Sequence, residues 1–173
     1  MDFLGQINCT AGQTLVGFEN IPQNYKDLQL WVYKFNNDSD SAGSDRLTMN
    51  GSTTNSDYTI GYTQAYGTTR LTSKFNNTGN IGDGYGSMGS GTRQPFTHII
   101  DIYDYASATK FKQVIGFFSF LANAGEYSPE GGMYQSAYLQ QTPITALTYA
   151  ASSSTGWGVG STFTLYGIGG TSA

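Results

Sequence analysis

One cysteine, one histidine and four prolines are spread through 173 residues, and these scarcities narrow the chemistry before any pattern is read. A lone Cys9 forms no internal disulfide and supplies no metal-type cysteine pair; it reads as a small packed side chain. His98, the sole histidine, excludes multi-histidine metal centres and leaves a single imidazole as candidate base. Charge is scarce as well. Eight basic and twelve acidic residues make up 12% of the chain, with a net charge of -4 and no basic cluster, so the electrostatic footprint of a nucleic-acid binder is missing. No stretch approaches 18 uninterrupted apolar residues, and Met1-Asp2-Phe3 places an acid where a signal peptide carries Lys or Arg, so neither a membrane partner nor secretion is expected.

What the chain has in plenty is rings. Thirteen Tyr and ten Phe bring the aromatic share to 14%, and a core of rings and β-branched side chains favours sheets over helices. The length suits a single domain over 1–173. Period-two alternation recurs, with Leu28, Leu30 and Val32 set against Gln29, Trp31 and Tyr33, and with Phe96, His98, Ile100 and Ile102 set against Thr97, Ile99, Asp101 and Tyr103. The run Lys110–Leu121 follows across a short polar connection, and the two runs read as neighbouring antiparallel strands in the middle of a sheet. Further strands are predicted over 14–18, 45–50, 57–62, 68–75, 133–141, 144–151 and 162–168, about nine or ten in all, with Pro143 opening one of them. Asn50-Gly51 has the chemistry of a tight turn with positive φ. From Asn76 to Pro95, six glycines in twenty residues predict a long loop or arm, suited to contact with a neighbouring subunit.

Candidate reaction chemistry is thin. His98 shares a strand face with Phe96 and Ile100, which predicts a core histidine. No strained G-x-S-x-G turn marks a nucleophile. Asp101 and Asp104, three apart on a strand, are expected to point to opposite faces, which prevents them from flanking one glycosidic bond. The stretch Asn36–Asp45 alternates oxygen ligands but fails as an EF-hand, with Ala42 at the third ligand position and Met49 where the bidentate Glu belongs; it reads as a solvated turn. Gly82-Asp83-Gly84-Tyr85-Gly86 lacks the following helix and Lys-Ser or Lys-Thr pair of a phosphate cradle. No catalytic, metal or cofactor site is expected. Trp31, Tyr33, Tyr103 and Trp157 on strand faces are placed to fill the core, stack on sugars or anchor a protein interface.

Three blocks resemble a family of tailed-bacteriophage virion structural proteins: "FENIPQNYKDLQL" with the following "DRLTMNGSTTNSDYT", "IIDIYDYASATKFKQVIGFF", and "ITALTYAASSSTGWGVGSTFTLYGI". Together they span about two-fifths of the chain, the last being the most specific; Asn50-Gly51-Ser52 departs from the family pattern, lacking its acid after the glycine. The resemblance implies an all-β, two-sheet antiparallel β-sandwich of jelly-roll type that assembles by protein contact and is not an enzyme. With no long terminal extension of the kind a fibre shaft uses, the expected role is a capsid decoration or cement protein. Such a protein is made in the host cytoplasm and bound to the outer capsid surface. Its partner would be the major capsid protein of the same virion, and it would form a homo-oligomer, a trimer being favoured. The alternative is a tail or fibre module binding host-surface glycan, with or without Ca²⁺. Candidate interface residues are Trp31, Tyr33, Tyr85, Met88, Arg93 and Trp157.

Overall fold

The computed structural model describes residues 1–35, 45–66, 69–82, 95–123, 127–152 and 155–170. Within them the chain forms twelve strands and one 3-10 turn at Asn55–Asp57. In chain order the strands are β1 (Asp2–Asn8), β2 (Leu15–Phe18), β3 (Asp27–Phe35), β4 (Arg46–Met49), β5 (Tyr58–Tyr66), β6 (Thr69–Thr78), β7 (Ile81–Gly82), β8 (Pro95–Tyr103), β9 (Lys112–Asn123), β10 (Tyr127–Tyr138), β11 (Leu147–Ala150) and β12 (Thr162–Ile168). They make two antiparallel sheets, one ordered β1-β12-β3-β8-β9-β10-β5-β6 and the other β2-β11-β4-β7. Setting aside the hairpins β5–β6 and β9–β10 leaves β1-β12-β3-β8 facing β2-β11-β4-β7. That is the strand order of a jelly roll, in which the chain passes back and forth between two layers except at β4 and β7, which pair within one. The two hairpins are insertions that double the width of one sheet.

The alternation read in the sequence sets the layers. On β3, Leu28, Leu30, Val32 and Lys34 are buried while Trp31 and Tyr33 are exposed; on β8, Phe96, His98, Ile100 and Ile102 are buried. Cross-strand pairing carries this parity across the sheet, from Val32 to His98 to Phe118 to Gly132 to Gln64 on the inner side. Rings fill the space between the layers: Phe96 stacks near Phe118 and Phe120, and Trp157 packs between Tyr149 and Phe163. The widened sheet is tied to the short one by Tyr58 of β5, whose hydroxyl accepts from the Met49 backbone N–H at 2.9 Å and donates to the Ser52 carbonyl at 3.1 Å.

Several expectations need correction. Met49 to Ser52 do form a tight turn, with φ of 52° at Asn50 and 70° at Gly51 and a Ser52 N–H to Met49 carbonyl bond of 3.0 Å, but the strands on either side belong to different sheets. Pro143 lies before β11 and opens no strand; its carbonyl accepts from the Asn50 side chain instead. The glycine-rich arm starts later than expected, because β6 runs to Thr78 and Ile81 of β7 is 1% exposed in the core, paired with Leu47. Residues 83–94, the bulk of that arm, lie outside the described residues. Two strands, β1 and β7, carry too little apolar alternation to be read beforehand.

Packing of side chains across neighbouring strands depends on particular glycines. A Cβ at Gly116 would stand 2.2 Å from the Tyr134 ring, whereas at Gly17 the nearest atom is 3.7 Å away. Gly116→Ala is expected to lower unfolding free energy in urea by about 2–3 kcal/mol through overpacking, with Gly17→Ala within about 1 kcal/mol of wild type. Equal effects would contradict this packing.

Candidate docking surface

Pleating sends the complementary residues of the long sheet outward. One outer row runs Trp31, Ile99, Phe117, Met133 and Thr63 across β3, β8, β9, β10 and β5, each directly opposite the next. Trp31 is 45% exposed, Phe117 50% and Met133 36%. In this row and the two flanking it, Asp101, Lys74 and Arg70 are the only charged residues. Among the described residues neither Lys74 nor Arg70 has an acidic partner and Asp101 has no basic one. A face of aromatic, Met and neutral polar groups with few charges has the composition of an interface core.

The half built from β1, β12 and β3 carries a ladder of rings. Phe3 meets Tyr166 edge-on at 6.2 Å, Tyr166 meets Trp31 at 5.5 Å, and Tyr33 packs on Phe35 at 4.9 Å. The indole N–H of Trp31 donates to Gln29 Oε1 at 2.6 Å, and Gln29 Nε2 donates to Asp101 Oδ1 at 2.7 Å. This relay fixes the Trp31 rotamer, so little side-chain entropy remains to be lost when its exposed ring is covered. The other half, on β9, β10, β5 and β6, holds a shallow depression of about 510 Å³ floored by Gly61 and Ala137 and rimmed by Lys74, Gln113, Ile115 and Gln135.

Of the residues singled out in the sequence, Trp31 and Tyr33 lie side by side on this face. Trp157 does not. It is 1% exposed, wedged between Tyr149 and Phe163, and its indole N–H donates to Asp45 Oδ2 at 2.8 Å. Gly156 and Gly160, with φ of 67° and 93°, let the chain turn this side chain inward. Tyr85, Met88 and Arg93 lie outside the described residues, as does all of the oxygen-rich stretch 36–45 except Asp45. Tyr103 is 37% exposed at the end of β8.

The titratable groups that were weighed for chemistry have structural partners. His98 is buried, its Nδ1 3.4 Å from the Tyr149 hydroxyl, and burial assisted by the nearby Lys34 charge pushes its pKa well below the usual range. Asp101 lies on the outer face, while Asp104 is off the strand in a turn with φ of 52°, bonded to Lys110 at 3.0 Å; the expected opposition of the two along one strand does not occur. Asp45 is the buried end of a network: Lys34 Nζ at 2.6 Å, the Trp157 indole, and the Ser152 backbone N–H at 3.0 Å all converge on its carboxylate. The same ammonium sits 4.1 Å above the Phe96 ring. The Cys9 thiol is pushed up to about 11 by burial. Among the described residues no three His, Cys, Asp or Glu side chains converge in a metal-holding group.

Sequence reading placed Phe117 and Met133 in strands without setting them on the outer face, and it missed the Lys34–Asp45 pair. The signal was available for two of them: Lys34 continues the inward parity of Leu28, Leu30 and Val32, and Phe117 is out of phase with Phe118 and Phe120. Comparison with protein-family models, with curated proteins and with solved structures yields no match for this chain.

Two outcomes follow from these buried groups. Asp45→Asn strands the Lys34 charge in the core and is expected to cost about 3–5 kcal/mol in denaturant unfolding, most of it recovered in the Lys34→Met/Asp45→Asn double variant; a single variant as stable as wild type would refute the assignment. Because folding lowers the His98 pKa, the unfolded chain binds the proton first, and stability present above pH ~6.5 falls below it. Wild type should lose about 1.4 kcal/mol between pH 7.5 and 5.5 that His98→Leu does not lose.

Proposed function

We propose that this chain is a structural protein of a bacteriophage virion, a decoration or cement protein that docks on the major capsid protein at the outer head surface. The observation that carries the reading is the pre-ordered ring ladder of Phe3, Tyr166 and Trp31, with Tyr33 beside it, on a charge-poor sheet face. Aromatic side chains held in place supply large contact area at small entropic cost, which is how interfaces obtain their anchors. The jelly-roll strand order agrees with the fold that the family resemblance implies.

The three blocks that carry the resemblance also hold one another. Their strands β12, β3, β8 and β9 lie consecutively in the long sheet. At one end of the sandwich Gln23 Nε2 donates to the Ile144 carbonyl at 2.9 Å, the Ile144 N–H to the Tyr105 carbonyl at 2.9 Å, and the Tyr105 hydroxyl to the Pro22 carbonyl. Sequence features spread along the chain thus meet in one locked corner, so the resemblance reports on a single folding unit.

A second reading, a tail or fibre module for host glycan, draws on the same platform, since Trp31 flanked by the Gln29 amide and Asp101 carboxylate offers a stacking ring beside hydrogen-bonding groups. Retention on particles separates the two. Trp31→Ala/Tyr33→Ser is expected to unfold within about 1 kcal/mol of wild type while the copies retained on sedimented capsids fall about tenfold or more. Unchanged retention, together with loss of a glycan-array signal, would replace the shell role with the glycan role.

A further inference from the structure

We propose that the outer half-face made by β8, β9, β10, β5 and β6 is where two copies of this chain associate, about a two-fold axis running along β10. Three features of the face are self-complementary about that line. The first is charge. Asp101 on β8 and Lys74 on β6 belong to one cross-strand row, joined through Ile115, Gln135 and Gly61, and each is two strands from β10. Four strand spacings separate them, about 19 Å. Turning a second copy over about β10 lays its Asp101 on Lys74 and its Lys74 on Asp101, while Arg70 falls on the neutral Thr97 in another outward row, so two opposite-charge pairs form and no like charges meet.

The second feature is shape. β9 and β5 flank β10 at equal distance, and their outward residues differ in size: Ile115 and Phe117 on β9 lie in the same rows as Gly61 and Thr63 on β5. The same rotation lays Ile115 of one copy over Gly61 of the other, in the depression of about 510 Å³, and Phe117 over Thr63. Met133, 36% exposed on the axis itself, meets its own counterpart.

The third is area. Five strands at ~4.8 Å by about eight residues at ~3.3 Å project about 600 Å², and accessible surface exceeds projection, which brings the face to the ~800 Å² per partner of a standard interface. Two sheets packed this way keep their strands within about 30° of alignment. An isologous contact of this kind closes on itself, so the assembly unit is a dimer, in place of the three-fold ring that the family resemblance favours. The face adjoins the ring ladder at Asp101, which also ends the relay that holds Trp31; self-association is read without capsids, so its failure and a failure of shell docking are distinguishable.

Sedimentation equilibrium of the full chain tests it. Wild type is expected to be dimeric at micromolar concentration. Lys74→Glu and Asp101→Lys should each weaken the dimer about tenfold or more, and the two together should restore it to within about threefold. Met133→Cys, treated with a short bismaleimide able to span the ~10 Å between facing sheets, should give a cross-linked dimer and nothing larger, Cys9 being buried. A wild type monomeric at every concentration, a trimer, a double reversal weaker than either single one, or a monomer that takes up glycan in the depression would each overturn the inference.

Discussion

Pleat parity across the eight-stranded sheet is the constraint from which the other features follow. Once Val32, His98 and Phe118 face inward in one row, Trp31, Ile99 and Phe117 must face outward in the next, because a slip of one residue would exchange the two sets on every strand. Burial of the inner rings opposes such a slip at about 1.5–3 kcal/mol for each large side chain enclosed. Parity also forces polar groups inside. Lys34 is drawn in with its strand and is made tolerable by Asp45 and by the faces of Phe96 and Tyr149. Gln64 and His98 Nε2 are buried with no hydrogen-bond partner among the described residues, a cost of about 1–3 kcal/mol for each group that the surrounding packing has to offset.

The two inserted hairpins change what the jelly roll can do. An eight-stranded jelly roll presents two narrow sheets; here β9–β10 and β5–β6 double one of them and extend its outer face without adding a layer over it. That face then divides by chemistry. The half nearest β1 bears rings fixed by a hydrogen-bond relay, while the half made by the insertions bears small and bulky residues in matched columns with opposite charges at its borders. On the reading proposed here, one half meets the shell and the other a second copy of the chain.

Legibility in the sequence followed the physics of each element. Strands with clean alternation and buried rows, such as β3 and β8, were plain, and so was the placement of β8 beside β9 in the middle of a sheet. β1 was not: DFLGQIN is an edge strand with no fully buried residue, so it has little alternation to show. β10 was read too short because Gly131 and Gly132, which look like a loop, are there for close packing; a Cβ on Gly132 would stand 2.4 Å from the Thr63 carbonyl oxygen. Trp157 was misplaced because its inward turn is set by Asp45, more than a hundred residues away. Parity within a strand is local information, whereas the partner of a buried polar group is not. The row Trp31–Ile99–Phe117–Met133 needed the pairing register, which no single segment contains.

Hydroxyl-radical footprinting of this protein on intact particles, set against the dilute isolated chain, tests the claim that the outer sheet face is the working surface. The account predicts that oxidation of Trp31, Phe117 and Met133 falls sharply on assembly while Leu15 and Val159, exposed elsewhere on the sandwich, react as before. Undiminished oxidation of the three, with protection appearing instead at Leu15 and Val159, would contradict it.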